Sequence, residues 1–130
     1  MNERPFKILI VDDEDDVRDV LVNYLTRKLH VAASAVDDGV KAVDVVRSLK
    51  PDLVLLDGHM PGMMGWEVLR EVRKFDRTVK VIIITAIFAV PPEDQEFILQ
   101  ETAGYLAKPV EPQDICAKII EVMGPEAVKA

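Results

Sequence analysis

Leu53-Val54-Leu55-Leu56-Asp57 is the stretch on which the fold turns. Four consecutive apolar residues leave no polar face for water, so the run reads as a strand covered on both sides. That is how strands behave in a parallel sheet held between two helix layers. Phe6-Lys7-Ile8-Leu9-Ile10-Val11 upstream and Lys80-Val81-Ile82-Ile83-Ile84 downstream repeat the pattern. Weaker strands are expected at Val31 to Val36, which is alanine-rich, and at Tyr105-Leu106-Ala107.

Helical spacing fills the gaps. Val17, Val20, Leu21, Tyr24, Leu25 and Leu29 recur at three- and four-residue steps, as do Ala42, Val43, Val46 and Leu49. Trp66, Leu69 and Val72 mark a third helix, after a loop carrying Pro61, Gly62 and Gly65. Pro91-Pro92 opens a fourth helix that runs to about Glu101, and Pro112 opens a fifth with Ile115, Ile119, Ile120 and Met123 inward. Five strands alternating with five helices predict an α/β, flavodoxin-like, doubly wound (βα)5 sandwich with a five-stranded parallel sheet of order 2-1-3-4-5. One domain is expected over residues 6–123, with short tails at 1–5 and 124–130, and with Pro125 to Ala130 frayed.

Composition narrows the function. The chain has 130 residues, 49% of them hydrophobic, and a net charge of −7 from 16 Lys plus Arg against 23 Asp plus Glu. That is enough apolar residue for one core, and the surface repels phosphate backbones and anionic lipid, so no direct nucleic-acid or membrane contact is expected. A single cysteine, Cys116, excludes an internal disulfide, and with only His30 and His59 no imidazole-rich metal site can form. No secretory leader or membrane span is read, and a reducing, cytoplasmic setting is expected.

The polar residues fall where a parallel sheet places its ligands. Asp12 and Asp13 follow the first strand, Asp57 ends the third, Thr85 the fourth, and Lys108 follows the fifth. Aspartate favours turns, so any one of these is an ordinary strand end. All five at carboxyl ends, with the acidic residues flanking the switch point between strands one and three, make a site. Three carboxylates in one crevice call for a cation, and oxygen donors alone suit Mg2+. With the Lys108 ammonium and the Thr85 hydroxyl beside them, the set describes a seat for a phosphoryl group and a carboxylate nucleophile, Asp57.

Val11-Asp12-Asp13-Glu14, the segment Leu56-Asp57-Gly58-His59-Met60-Pro61-Gly62-Met63-Met64-Gly65, Thr85-Ala86 and Tyr105-Leu106-Ala107-Lys108-Pro109 together resemble the receiver domains of two-component response regulators, the CheY-like family. The resemblance covers about Phe6 to Met123. It implies that Asp57 accepts a phosphoryl group from a sensor histidine kinase or histidine phosphotransfer protein. It further implies that Asp13, Asp57 and the main-chain carbonyl of His59 ligate Mg2+, with Asp12 acting through water. Lys108 would pair with the phosphoryl oxygens, Thr85 would bind one of them on switching, and Tyr105 would be the aromatic that turns inward with it. The face around strands four and five and helix four would then control a downstream effector or output domain. A cis Lys108-Pro109 bond also follows from the resemblance.

Some features depart from the pattern. His59, two positions beyond the acceptor, and Ile87, two beyond Thr85, are read as restricting the in-line water and slowing acyl-phosphate hydrolysis. The apolar segment 87–92 either packs inward or forms a homodimer or partner patch on the helix-four face. Rival functions fit less well. A haloacid-dehalogenase-like phosphatase wants an aspartate where His59 stands, and a dinucleotide fold wants a glycine-rich loop where Asp12 to Asp16 lie. A phosphorylation-independent interaction module of the same fold is the alternative reading.

Overall fold

The structure is a computed structural model that describes residues 4–86 and 90–129. In chain order the elements are β1 (Phe6–Val11), α1 (Asp15–Lys28), β2 (Val31–Val36), α2 (Gly39–Leu49), β3 (Leu53–Asp57), α3 (Gly65–Arg73), β4 (Lys80–Thr85), α4 (Pro92–Glu101), β5 (Gly104–Ala107), α5 (Pro112–Met123) and α6 (Pro125–Val128). The strands form one parallel sheet of order β2-β1-β3-β4-β5. Every residue of β3 is buried, as its continuous apolar run requires.

Strand alternation sorts the core into two layers. Ile8, Ile10, Leu53, Leu55, Ile82 and Ile84 face α1 and α5, meeting Leu21, Leu25, Ile115 and Ile119. Leu9, Val11, Val54, Leu56 and Val81 face the other way, onto Ala42 and Val46 of α2 and Val68, Leu69 and Val72 of α3. A smaller cluster of Trp66, Ile83, Val90 and Ile98 seats α4, with Tyr105 packed at its edge.

Local chemistry sets the helix ends. Asp38 caps α2 by accepting from the Lys41 N–H at 2.8 Å, and Lys50 ends it in the left-handed region at φ 53°. The Glu67 carboxylate reaches back to the Met64 N–H at 2.8 Å at the start of α3, and prolines open α4 and α5.

One expectation is corrected. The stretch from Pro125 does not simply fray, because Pro125–Val128 forms a helical turn and Val128 is fully buried in the α1/α5 layer. The His30 N–H donates to the Val128 carbonyl at 2.8 Å, fixing that turn beneath the sheet. Burial of one valine there outweighs the tail-like composition around it.

Candidate functional site

Reversal of the winding between β1 and β3 leaves a crevice above their carboxyl ends, and the acidic residues line it. Asp12 and Asp57 are buried, at 7% and 3% exposure, while Asp13 stands exposed at the rim. One carboxylate oxygen from each of the three lies within 4.8 Å of the others. The Asp12 side chain is oriented by the Glu14 N–H, which donates to its Oδ1 at 2.9 Å. Burial, and then the facing charges of Asp57 and Asp13, raise the Asp12 pKa above its ordinary value despite the Glu14 bond and the Lys108 charge.

Asp57 is held from one side only. The Lys108 ammonium donates to its Oδ1 at 3.1 Å, and the His59 N–H reaches the same oxygen at 3.2 Å. Among the described residues no hydrogen bond reaches Oδ2. Burial opposes the charge of Lys108, yet the Asp57 bond and the fields of Asp57, Asp12 and Glu14 prevail and raise its pKa. The peptide bond between Lys108 and Pro109 is cis.

Thr85 completes the crevice. It is 1% exposed, and its Oγ1 is the one buried side-chain polar atom without a hydrogen-bond partner among the described residues. The glycine after the acceptor makes room for it, since a Cβ on Gly58 would stand 2.4 Å from the Thr85 Cβ. The Tyr105 hydroxyl donates to the Thr85 carbonyl at 3.1 Å, so the ring at the α4 edge is tied to the strand that carries the orphan hydroxyl.

Thus the fold brings Asp12, Asp13, Asp57, Thr85 and Lys108 together, with Tyr105 behind Thr85. His59 is exposed at the mouth and offers its main chain to the crevice. Ile87 lies outside the described residues, as do Phe88 and Ala89; of the same segment, Val90 is buried. The sequence reading missed Arg18, whose guanidinium donates to the Asp12 main-chain carbonyl at 2.8 Å. It also passed over Gly65 as a loop marker, although a Cβ there would fall 2.4 Å from the Asp57 carbonyl oxygen.

Oxygen-only donors at this spacing, without thiolate or imidazole, suit a hard divalent cation. A buried unpaired hydroxyl and an ammonium beside them suit a phosphoryl group. Residues 8–120 match the family model described as the response regulator receiver domain. The chain belongs to that family. Sporulation initiation phosphotransferase F of Bacillus subtilis is 43% identical over 86 residues, which is 66% of each chain. The chemotaxis protein CheY of Treponema pallidum is 30% identical over 124 residues, covering 94% of this chain and 85% of that one. Among solved structures, a CheY-like response regulator receiver domain protein from Methanospirillum hungatei superposes with a TM-score of 0.81 at 27% identity, covering 92% of this chain and 95% of that one. The chain spans about half the length of several of the relatives it matches. Receiver domains are signalling modules rather than conventional enzymes, and they bind Mg2+ at an acidic cluster of this kind. In this one, no helix among the described residues is long and apolar enough to cross a membrane.

Proposed function

We propose that this receiver domain accepts a phosphoryl group on Asp57 from a phosphohistidine of a sensor kinase or phosphotransfer protein, and that the modified domain is read by an effector or output domain. The observation that carries the reading is Asp57 itself, a buried carboxylate with Lys108 3.1 Å from Oδ1 and an orphan Thr85 hydroxyl packed against Gly58, the next residue. Its second oxygen attacks phosphorus. The P–O bond forms as the P–N bond of the donor breaks, and the imidazole leaves with the nitrogen lone pair and takes up a proton. Asp13, Asp57 and the main-chain carbonyl of His59 would hold Mg2+, with Asp12 contributing through water. Bound there, the cation supplies charge neutralisation for carboxylates and phosphoryl oxygens alike.

Lys108 then pairs with the new phosphoryl oxygens. The Thr85 hydroxyl, which loses roughly 1–3 kcal/mol while buried and unpaired, gains an acceptor. Phosphorylation adds about −1.5 to −2 charges, and the pull on Thr85 is passed to Tyr105 through the carbonyl they share. The faces of β4, β5 and α4 are thereby biased toward a second arrangement that a partner can select.

The surface beside the crevice supports docking of such a donor. A groove of about 390 Å³ is lined by Val17, Val20, Leu21, Val110 and Ile115 together with Asp12, Glu14, Asp16 and Lys108. Val20 is half exposed there. An apolar helix face docked in this groove would bring its histidine to the crevice mouth.

Acetyl phosphate, with and without Mg2+, applied to wild type and Asp57→Asn tests the assignment by intact mass. The expected result is a Mg2+-dependent phosphoryl adduct in wild type and none in the variant. An adduct that persists in Asp57→Asn removes Asp57 as acceptor. No adduct in wild type from either acetyl phosphate or a phosphorylated donor protein would favour a phosphorylation-independent interaction module.

A further inference from the structure

Arg18 stands on the first turns of α1, and its side chain is only 16% exposed. Its guanidinium divides its donors. Nη1 bonds the Asp12 main-chain carbonyl at 2.8 Å, and Nη2 pairs with the Asp15 carboxylate. Neither bond goes to an acidic side chain of the crevice. Asp13 meanwhile makes no hydrogen bond or ion pair with the described residues, so among them its backbone is the one hydrogen-bonded handle on the direction of its carboxylate.

The Asp12 carbonyl belongs to the planar peptide unit that ends at the Asp13 Cα. Holding that oxygen therefore fixes the plane from which the Asp13 side chain springs. The Asp12 N–H, on its other side, is bonded to the Val36 carbonyl at 3.2 Å. Sheet and helix thus grip the acidic dipeptide from two directions, and Arg18 is the helix's half of the grip.

We propose that Arg18 is a positioning residue for the divalent cation, acting by orienting the Asp12–Asp13 peptide; this rests on the reading of the acidic trio as a Mg2+ site. Electrostatics alone argues for the opposite effect. A fixed positive charge beside three carboxylates competes with a cation, so an Arg18 that acted through charge would weaken Mg2+ binding. The sign of the effect separates the two roles.

Arg18→Lys keeps the charge and loses the planar fork, whereas Arg18→Gln loses both. Calorimetric titration of the full chain with MgCl2 is the readout, with thermal unfolding of each variant alongside. Positioning predicts that both variants bind Mg2+ more weakly, by about tenfold, the usual loss when an outer contact of a metal ligand is removed. It also predicts that the Mg2+ concentration for half-maximal labelling of Asp57 by acetyl phosphate rises while the plateau rate stays. Arg18→Lys binding as tightly as wild type overturns the proposal, and so does Arg18→Gln binding as tightly or more tightly. A lowered unfolding temperature with unchanged Mg2+ affinity also overturns it, leaving Arg18 a fold contact only. If Arg18→Gln does not fold, Arg18→Lys decides alone. Absence of Mg2+ binding in wild type would instead sink the metal-site reading, an outcome that the variants cannot mimic.

Discussion

At the scale of single residues, the crevice trades stability for chemistry. Asp12 is buried, faces Asp57 and Asp13, and has its ionised form disfavoured first by desolvation. Asp12→Asn removes that charge while leaving an oxygen for the Glu14 N–H. The expected outcome is a gain of about 1 kcal/mol in thermal unfolding with chelator present. Excess Mg2+ should reverse the order, because wild type, which keeps the Asp12 charge, binds the cation more tightly and is stabilised more by it. Asp76, remote from the site, behaves in the ordinary way. Its carboxylate accepts from the Thr78 N–H at 2.9 Å, the Val79 N–H at 3.0 Å and the Thr78 hydroxyl at 3.1 Å. Partial burial works against its charge, but those bonds prevail and lower its pKa below the ordinary 3.8. Between the two values the unfolded chain holds more protons than the folded one. Stability from Asp76 is therefore present above pH 3.8 and lost as pH falls through the depressed folded value. Asp76→Ala should cost about 1 kcal/mol at neutral pH in urea unfolding and flatten that part of the acid limb.

At the scale of elements, the acceptor loop depends on a close approach that only glycine permits. Gly65 opens α3 against the Asp57–Gly58 main chain, and its N–H donates to the Gly58 carbonyl at 3.1 Å. A Cβ at Gly65 would stand 2.4 Å from the Asp57 carbonyl oxygen and 2.8 Å from the Gly58 Cα, both main-chain atoms that cannot swing away. Gly65→Ala should cost about 1–3 kcal/mol and lower Mg2+ affinity as well, since the strain lands on the acceptor's own peptide. Calorimetry and urea unfolding on one preparation check both. The strands and their polar ends were legible in the sequence because parallel strands between helices read as unbroken apolar runs, and whatever polar residue ends each run must lie at the ligand edge. What Gly65 does was not legible. A loop glycine looks alike whether it supplies a left-handed turn, as Gly62 does at φ 87°, or space for a neighbouring strand end. Arg18 escaped for a related reason. Its partner is a main-chain carbonyl, which leaves no trace in the pattern of side chains.

At the scale of the molecule, the sheet separates what the site needs from what the fold needs. The chemistry lies above the carboxyl ends of the strands. The turn at Pro125–Val128 closes the α1/α5 layer below, where the Val128 carbonyl accepts from His30 and its side chain is wholly buried. Six-residue strands put about 20 Å between those two ends. Nothing in the run from Pro125 to Ala130 announces this role, because one valine among small and charged residues has no periodicity to reveal its burial. Val128→Ala removes two buried methyl equivalents and should lower stability by about 1.5 kcal/mol. Sites farther apart than about 10 Å without shared partners change stability independently. Val128→Ala should therefore leave Mg2+ affinity at its wild-type value, and its cost should add to that of Gly65→Ala in the double variant. A loss of Mg2+ affinity in Val128→Ala, or a double variant departing from the sum by more than about 0.5 kcal/mol, would mean that the lower turn and the crevice are coupled through α1, the helix that carries both Arg18 and the Leu25 side chain of the Val128 layer.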